Sequence, residues 1–441
     1  MTHTATVVLV DGVRVAVPDS LNLITPYVLL EQHDWFEDEI KFLRRLLQAG
    51  QKVIDIGANH GVYALSMAHA VGPTGYVWAF EPARETATLL AEGIAANGFE
   101  HVTLEQSALS SDCGTAQLSL NANSELNALV HGNSSTTASE TVSVLTLDEC
   151  LERYNWRDID FVKIDAEGEK LNILKGGGRF FSELSPLVQY EIRAGADLHL
   201  ELVQQFAALG YRSYRLVPGL DALVPFDSES PPDGYLLNLF CCKQNRVEQY
   251  SGMGFLVDRQ STHPDARANP VFGIHKRAME QAEYDWHHTI ACMPYGTRLA
   301  DLWERTMTTG THADVGEALS LYAMSGDSSL SSGERFSALD ACLNLITRLC
   351  EQQAPPTRLA TLARVACDYG ARSVAVNALR QLADAILKEN GINLREPFLA
   401  PGRRFDAAPP GDAIGNWVLA AVLEALERLG SFSSFYTGPS A

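Results

Sequence analysis

Short apolar runs alternate with amphipathic helical stretches over the first half of the chain. Each run is five or six residues long and is flanked by polar residues or glycine, as is typical of buried strands. Strands that alternate with helices predict a parallel sheet with helices on both faces, which is an α/β fold. The predicted strands lie at residues 52–56, 76–80, 102–106, 160–164 and 187–192.

Helical periodicity separates these runs. Apolar residues recur on one helix face over 87–94, and a further helix is predicted over 198–209. The last two apolar runs, 211–217 and 235–242, are joined by a proline-rich loop. They predict an antiparallel hairpin at the sheet edge.

The segment before the first strand has the pattern of an amphipathic helix that packs on the edge of the sheet. Glu37 and Glu39 lie between its apolar positions and are predicted to face solvent, with contact to a bound ligand as the alternative. The apolar positions are Trp35, Phe36, Ile40, Leu43, Leu46 and Leu47.

Residues 121–139 are rich in Asn, Ser, Thr and Gly, a composition that favours a mobile loop. The loop is either a solvated connection or a lid over the acceptor, since long irregular loops on compact domains are often lids. In the second case the acceptor would meet Asn123, Ser124, Glu125, Asn127 and His131.

Beyond residue 245 the pattern is helical, without a strand signal. One apolar stripe comprises Leu379, Leu382, Ala383, Ile386 and Leu387. The segments 337–351 and 373–388 are alike, at a separation close to the roughly 34-residue period of tetratricopeptide-like helix pairs. The sequence therefore predicts an all-α region, as a short repeat array or as an independent bundle.

The length of 441 residues exceeds what one hydrophobic core usually organises. Three parts are predicted: an N-terminal segment at 1–50 that packs on the catalytic domain, a catalytic domain at 51–245 and a helical domain at 246–441. The helical domain could form a homodimer surface, cover the active site or bind a protein partner or a large acceptor.

Charge and cysteine content narrow the function. With 34 Lys and Arg against 54 Asp and Glu, the net charge is −20, which disfavours nucleic acid and anionic membranes as partners. Eight scattered cysteines without a C-x-x-C pair indicate reduced thiols. There is no signal-peptide pattern and no run of membrane-spanning length, so a cytoplasmic location is expected.

The most informative residues follow the first two predicted strands. Residues 53–61 read Val-Ile-Asp-Ile-Gly-Ala-Asn-His-Gly, and Phe80-Glu81-Pro82 ends the next strand, at the spacing of a nucleotide-binding βαβ unit. Gly57 and Gly61 would let the backbone approach a ligand without a Cβ in the way. The helix that begins near Gly61 offers free N–H groups. Glu81 is placed to hydrogen-bond both hydroxyls of a ribose.

The turn lacks the Gly-x-Gly-x-x-Gly spacing, so a nicotinamide or flavin dinucleotide fits poorly. Asp55, before the turn, favours a cationic nucleoside that carries an amino acid. With this turn, Phe80-Glu81-Pro82, Ala108-Leu109-Ser110 and Val-Lys-Ile-Asp-Ala-Glu-Gly at 162–168, the sequence resembles the class I S-adenosylmethionine-dependent methyltransferases. More narrowly it resembles the FkbM family, over roughly residues 30–243.

The resemblance implies a Rossmann-like sheet and S-adenosyl-L-methionine as cofactor. Asp55 and the turn would hold its amino-acid portion, and Ser107 and Ala108 would border the adenine. Asp165 would lie near the reacting sulfur, where its charge suits a cation. The implied cofactor-binding residues are Asp55, Gly57, Ala58, Asn59, His60, Gly61, Glu81, Pro82, Ser107, Ala108 and Asp165.

A hydroxyl acceptor needs a base or a Lewis acid nearby, because a protonated alcohol is a poor nucleophile. Asp165, Glu167 and Glu191 are candidates, since the fourth and fifth strands end side by side in this fold; His60 and His131 are others. Three close acids repel one another unless they are protonated or metal-bound. Their oxygens would suit Mg²⁺, but the resemblance does not require a metal, and no metal ligand is assigned.

The function predicted from these residues and the resemblance is O-methylation of a hydroxyl on a sugar, glycan or related secondary metabolite. The alternatives are transfer to nitrogen or to a peptide, and a scaffold that binds the cofactor without turnover. The acceptor is thus a small molecule or a glycan.

Overall fold

The structure, a computed structural model, describes residues 3–130, 138–194, 197–258, 284–290, 292–306, 313–389 and 392–431. Its strands are β1 Thr4–Val8, β2 Arg14–Pro18, β3 Lys52–Ile56, β4 Tyr76–Phe80, β5 Val102–Glu105, β6 Ser107–Leu109, β7 Gly114–Ser119, β8 Ala128–Leu129, β9 Ser139–Leu145, β10 Phe161–Ile164, β11 Leu187–Glu191, β12 Arg193–Ala194, β13 Asp197–Leu198, β14 Arg212–Val217, β15 Ala222–Pro225 and β16 Asn238–Cys242.

The α-helices of the first part of the chain are α1 Ile24–Gln32, α2 Asp38–Leu46, α3 Val62–Val71, α4 Arg84–Asn97, α5 Leu147–Arg153, α6 Lys170–Lys175, α7 Gly178–Glu183, α8 Glu201–Ala208 and α9 Gln244–Gly252. Those of the second part are α10 Trp286–Ile290, α11 Pro294–Thr306, α12 Ala313–Ser325, α13 Ser332–Gln352, α14 Pro356–Tyr369, α15 Arg372–Glu389 and α16 Ile414–Ser431. Short 3₁₀ helices lie at Ser124–Leu126 and Arg403–Asp406.

The main sheet has eight strands in the order β15-β14-β16-β11-β10-β3-β4-β5. The five strands from β11 to β5 are parallel, and β16, β14 and β15 extend the sheet in antiparallel pairs. The predicted α/β sheet and its antiparallel edge pair are therefore confirmed. Two details differ from the prediction, because β16 lies between β11 and β14 and because β15 adds an outer strand.

Both faces of this sheet are covered because the central strands are apolar at most positions. On one face, Val53 and Phe161 pack with α2, α3 and the N-terminal hairpin of β1 and β2. On the other face, Ile54 and Val162 pack with α5, α6, α7 and α8. Parallel strands buried on both faces are what the apolar runs predicted.

A smaller sheet in the order β6-β9-β7-β8 lies beside the end of β4. It includes part of the segment that was predicted to be a mobile loop. There, the Asn121 amide donates to Asn127 Oδ1 (2.8 Å), and the Asn121 side chain donates to the Leu126 carbonyl (2.6 Å). The loop therefore has structure of its own at residues 121–129, through side-chain hydrogen bonds that composition does not reveal.

Helices α10 to α16 share one hydrophobic core, which also includes Val217, Ala222 and Val224 of β14 and β15. Consecutive helices from α12 to α16 pack against one another. The predicted stripe on α15 is buried except at Leu387, which is 61 % exposed, so the prediction was wrong at that position. No described helix has the length and apolar character required to span a membrane.

Candidate functional site

One cavity of about 260 Å³ lies at the carboxyl ends of β3, β4, β10 and β11, where open α/β sheets bind ligands. It brings together all of the predicted site residues except two. Gly61 lies at the start of α3, and His131 lies outside the described residues. The predicted residues that line the cavity are Asp55, Gly57, Ala58, Asn59, His60, Glu81, Pro82, Ser107, Ala108, Asp165, Glu167 and Glu191.

Asp55 is fully buried at the end of β3, with 0 % of its surface exposed. Neither carboxylate oxygen has a hydrogen-bond partner among the described residues; the Ala64 amide approaches without hydrogen-bond geometry. Burial raises the pKa of Asp55 to about 6, although Lys163 acts in the opposite direction. A buried carboxylate without a partner is costly. The position therefore suits a ligand that brings a cation or a donor.

The turn after β3 is held by the neighbouring strand. The amides of Gly57 and Ala58 both donate to the Phe80 carbonyl at 3.0 Å. Gly57 has a φ of +81°, and a Cβ there would lie 2.0 Å from the Asp165 carbonyl oxygen. A Cβ on Gly61 would lie 2.3 Å from Leu90 Cδ1. Contrary to the sequence prediction, both glycines make room for the protein's own packing and not for a ligand.

Glu81 at the tip of β4 is buried and organises two loops. Its oxygens accept hydrogen bonds from the amides of Asn59 and Ala83, each at 2.9 Å. Burial raises the pKa of Glu81 to about 7, against the lowering effect of these hydrogen bonds. A carboxylate has about four lone-pair sites, so acceptor capacity remains for a ligand hydroxyl.

Two more cavity residues have environments that constrain their chemistry. His60 is buried, its Nδ1 has no partner among the described residues, and burial lowers its pKa to about 4. It is therefore neutral at pH 7. Ser107 is buried at the start of β6, where its hydroxyl donates weakly to Glu105 at 3.4 Å.

Lys163 is the main residue that sequence reasoning missed. The strand registers place Asp55, Lys163 and Gln189 side by side across β3, β10 and β11. The Lys163 ammonium lies 2.6 Å from Asp165 Oδ2 and 4.7 Å from the centroid of the Tyr63 ring. Burial alone would lower its pKa, but the charges of Asp165, Asp55 and Glu37 raise it above the usual range. A charged residue inside the apolar run 161–164 was the available signal.

The predicted acidic group is neutralised by lysines. Burial acts to raise the pKa of Asp165, but Lys163 and Lys170 lower it overall. Glu191 Oε2 lies 2.5 Å from Lys170 Nζ, yet burial and Asp165 raise the pKa of Glu191 to about 8. Burial also raises the pKa of Glu167. In the described part of the chain, no group of three His, Cys, Asp or Glu residues is arranged to hold a metal ion.

Glu37 does not face solvent, and this prediction was wrong. It is half-buried in the cavity wall, where Oε2 accepts from the Tyr63 hydroxyl (2.5 Å) and Asn238 Nδ2 (3.3 Å), and burial raises its pKa. Glu39 is also half-buried, and burial raises its pKa to about 8. Helix periodicity could not reveal this, because the covering surface comes from distant parts of the chain.

The open side of the cavity is bordered by α1 and residues 123–129. The Ile24 amide donates to Asn123 Oδ1 (3.1 Å), and the Thr25 hydroxyl donates to Glu125. Ser124 Oγ donates to Asn59 Oδ1 (2.9 Å), so this segment also contacts the turn after β3. Of the residues predicted to meet an acceptor, Ser124, Glu125 and Asn127 line the cavity.

Comparison with protein families decides the class of this site. Residues 55–213 match the family described as the methyltransferase FkbM domain. The chain carries a methyltransferase FkbM domain. The resemblance predicted from the motifs is thereby confirmed, and this FkbM domain is an S-adenosylmethionine-dependent methyltransferase. The partnerless carboxylate of Asp55 fits a cofactor that carries an ammonium group.

Solved structures with a similar fold include three that illustrate the range. An rRNA methylase from Streptococcus thermophilus has 12 % identity and a TM-score of 0.27, covering 46 % of this chain and 93 % of its own. A candidate methyltransferase from Streptococcus mutans in complex with SAH has 11 % and 0.28, covering 46 % and 95 %. An O-methyltransferase from Thermotoga maritima has 14 % and 0.26, covering 52 % and 72 %. These likenesses carry no argument about function. The comparison with curated proteins gives no match.

Proposed function

We propose that this methyltransferase acts on a hydroxyl oxygen of a sugar, a glycan or a related secondary metabolite. The observation that supports this most directly is the acidic wall of the cavity, where Asp165, Glu167 and Glu191 follow β10 and end β11. Carboxylates accept hydrogen bonds from hydroxyl groups. An acceptor with several hydroxyls is therefore favoured over an apolar one.

The FkbM domain's own residues would place the cofactor, which when bound supplies the methyl group. We assign the ammonium group to Asp55, the ribose hydroxyls to Glu81, and the adenine border to Ser107 and Ala108. Asp165 would lie closest to the sulfonium, because its carboxylate stays ionised beside Lys163. Holding both substrates in line accounts for much of the expected rate gain.

Glu191 is our candidate for the group that removes the hydroxyl proton. An efficient base has a pKa near the working pH, and burial raises the pKa of Glu191 to about 8. Asp165 is a weaker candidate because its pKa is lowered. Lys170, at 2.5 Å, would hold the Glu191 carboxylate in position.

The test is a labelled-methyl transfer assay with sugars, glycans and other hydroxyl compounds, and with amines and peptides in parallel. Mass spectrometry of the product locates the label. We expect an ether, and we expect Glu191→Gln to lower kcat about 100-fold or more while the affinity for S-adenosylhomocysteine stays within about twofold. Glu183→Gln is the matched control, because Glu183 is exposed on α7, away from the cavity.

Label on nitrogen or on a peptide would replace the proposal with the corresponding activity. Tight binding of the cofactor without label on any compound would favour a non-catalytic scaffold. Equal losses of kcat and cofactor affinity in Glu191→Gln would remove Glu191 as the base.

A further inference from the structure

A second and larger cavity, of about 520 Å³, lies between the FkbM domain and the helical part. It is lined by α2, the end of β14 and the residues before β16 on one side, and by α14, α16 and the segment 401–405 on the other. Only Phe36 and Glu37 line both this cavity and the cofactor cavity. We name it the interdomain cavity. Cavities at domain interfaces are frequent ligand sites.

The two cavities differ in the sign of their charged side chains. The cofactor cavity has a single Lys or Arg, Lys163, and eight carboxylates: Glu37, Asp55, Glu81, Glu125, Asp165, Glu167, Glu169 and Glu191. The interdomain cavity has seven basic residues: Lys41, Arg45, Arg364, Arg372, Arg403, Arg404 and Arg428. Seven of the 34 Lys and Arg residues thus lie around one cavity in a protein of net charge −20.

The acids of the interdomain cavity reduce this excess only in part. Six acids line it: Glu37, Asp38, Glu39, Asp221, Asp368 and Glu424. Burial raises the pKa of Glu37, and it raises that of Glu39 to about 8. These two groups are therefore partly protonated at neutral pH, which leaves the cavity more positive than the formal count.

The arginines divide into two kinds. Arg364 is buried and bonded to Asp368 and Asp406, and Arg372 donates to the carbonyls of Leu429 and Arg428, so both hold the fold together. Arg403 and Arg404 instead have side chains that are 58 % and 77 % exposed. Their single acidic partners are surface ion pairs, which contribute little and which an incoming anion can replace.

Arg428 completes the exposed set. It is exposed on α16, and among the described residues no carboxylate lies within ion-pair distance of its guanidinium. Guanidinium groups bind phosphate oxygens in a fork geometry, and several around one concave site favour a polyanionic group over a single charge.

We propose that the interdomain cavity binds a phosphate-bearing portion of the methyl acceptor, while the acceptor's hydroxyl end reaches the cofactor past Phe36 and Glu37. This inference rests on the proposed function and narrows the acceptor to a phosphorylated hydroxyl compound. The charge contrast gives each ligand its own place. A cationic cofactor is attracted to the acidic cavity, and an anionic group is repelled from it.

The experiment is calorimetric titration of the full chain with pyrophosphate, in a buffer free of other polyanions, with malonate as a carboxylate probe. The variant Arg404→Ala/Arg428→Ala removes two exposed guanidinium groups. The matched control is Arg157→Ala/Arg179→Ala, which removes two exposed arginines that do not line the cavity. Thermal melting and the affinity for S-adenosylhomocysteine show that each variant is folded.

We expect pyrophosphate to bind the unmodified chain and to bind the Arg404/Arg428 variant at least about tenfold more weakly, with the control unchanged. The affinity for S-adenosylhomocysteine should stay within about twofold in both variants. No pyrophosphate binding, or equal binding by all three proteins, would overturn the inference. Malonate that binds more tightly than pyrophosphate would overturn the phosphate assignment.

The failure of the two proposals can be told apart. Arginine-dependent pyrophosphate binding without methyl transfer to any hydroxyl would leave the anion site in place and reject the proposed reaction. Methylation of an uncharged sugar at the same rate by the variant and the unmodified chain, without pyrophosphate binding, would retain the reaction and reject the anion site.

Discussion

Asp55 has the least favourable environment of the charged side chains that line the cofactor cavity. Its carboxylate is fully buried and has no partner among the described residues. The pKa in the folded chain, about 6, lies above the ordinary value of 3.8. The folded chain therefore binds the extra proton, and Asp55 contributes stability to the ligand-free protein below about pH 4 that is lost as the pH rises through 6.

Cofactor binding should have the opposite pH dependence, because an ammonium group favours the ionised carboxylate. We expect the affinity for S-adenosylhomocysteine to rise between about pH 5 and pH 7, with a midpoint near 6. Asp55→Asn should weaken binding by about tenfold or more at pH 7 and should flatten this profile. Calorimetry across pH measures both effects.

The control is Asp158→Asn, since that carboxylate is 66 % exposed and pairs with Lys52. A pH profile that is the same in Asp55→Asn and in the unmodified chain would count against the ammonium role.

A second prediction concerns Lys163, whose charge keeps the pKa of Asp55 from rising further. Lys163→Met should move the midpoint of the affinity profile upward by about one pH unit or more, because a buried carboxylate loses its nearby cation. The same calorimetric series measures the shift. Lys175→Met, an exposed lysine of α6, should leave the midpoint in place; an unmoved midpoint in Lys163→Met would refute the coupling.

The sequence predicted Asp55 and Glu81 as site residues because each follows a strand within a short motif. It did not predict the partners of the acidic residues. Lys163 meets Asp55 through the register of β10 against β3. Glu37 meets Tyr63 across two helices. Such pairings depend on how strands align and helices pack, which a local pattern does not specify.

At the level of elements, β3 and β4 lie at the predicted residues, because apolar runs between glycine-rich turns mark buried parallel strands. The β1–β2 hairpin was missed although its signal was present. Asp11-Gly12 separates two apolar alternating runs, and the Gly12 amide closes the turn on the Leu9 carbonyl at 2.9 Å. The strand β7 was missed for another reason: its residues Gly114–Ser119 are mostly polar and exposed, so they lack a burial pattern.

Gly57 is the element-scale position with the sharpest prediction. Gly57→Ala should lower the free energy of unfolding by more than about 2 kcal/mol, because the new Cβ meets the Asp165 carbonyl in addition to the strain of positive φ. Denaturant unfolding measures this change. Gly98→Ala is the matched control, with φ of +66° and open space around the Cβ; an equal effect in both variants would mean that the contact with Asp165 does not matter.

At the scale of the whole molecule, the FkbM domain and the helical part are joined by direct contacts. The Gly219 amide donates to the Asp368 carbonyl (2.8 Å), and Arg215 Nη1 donates to the Tyr369 carbonyl (2.7 Å). The helical character beyond residue 245 was predictable from periodicity. That its core would extend onto β14 and β15 was not, since no residue in those strands differs from an ordinary buried strand position.

Truncation tests where the FkbM domain ends. Val247, Tyr250 and Leu256 are buried in the same core as Phe240, and Arg246 donates to the carbonyls of Ser185 and Ile159. We expect a chain that ends at Asp258 to be more stable, by more than about 3 kcal/mol, than one that ends at Asn245. Denaturant unfolding of the two truncated chains makes the comparison.

Both truncated chains expose apolar residues of β14 and β15, so aggregation is measured alongside by light scattering. If the chain that ends at Asn245 is as stable as the longer one, α9 is not part of the first core. Loss of pyrophosphate binding with retention of S-adenosylhomocysteine binding is expected for the longer truncated chain.

The thin partition formed by Phe36 and Glu37 has a consequence for inhibitor chemistry. A single bisubstrate compound, with an adenosyl group at one end and a phosphate at the other, would need only a short tether to pass this partition. Tethering makes the second contact intramolecular, with an effective concentration in the millimolar range for short flexible linkers. Selectivity among methyltransferases would then come from the phosphate end, because the adenosyl half is common to all of them.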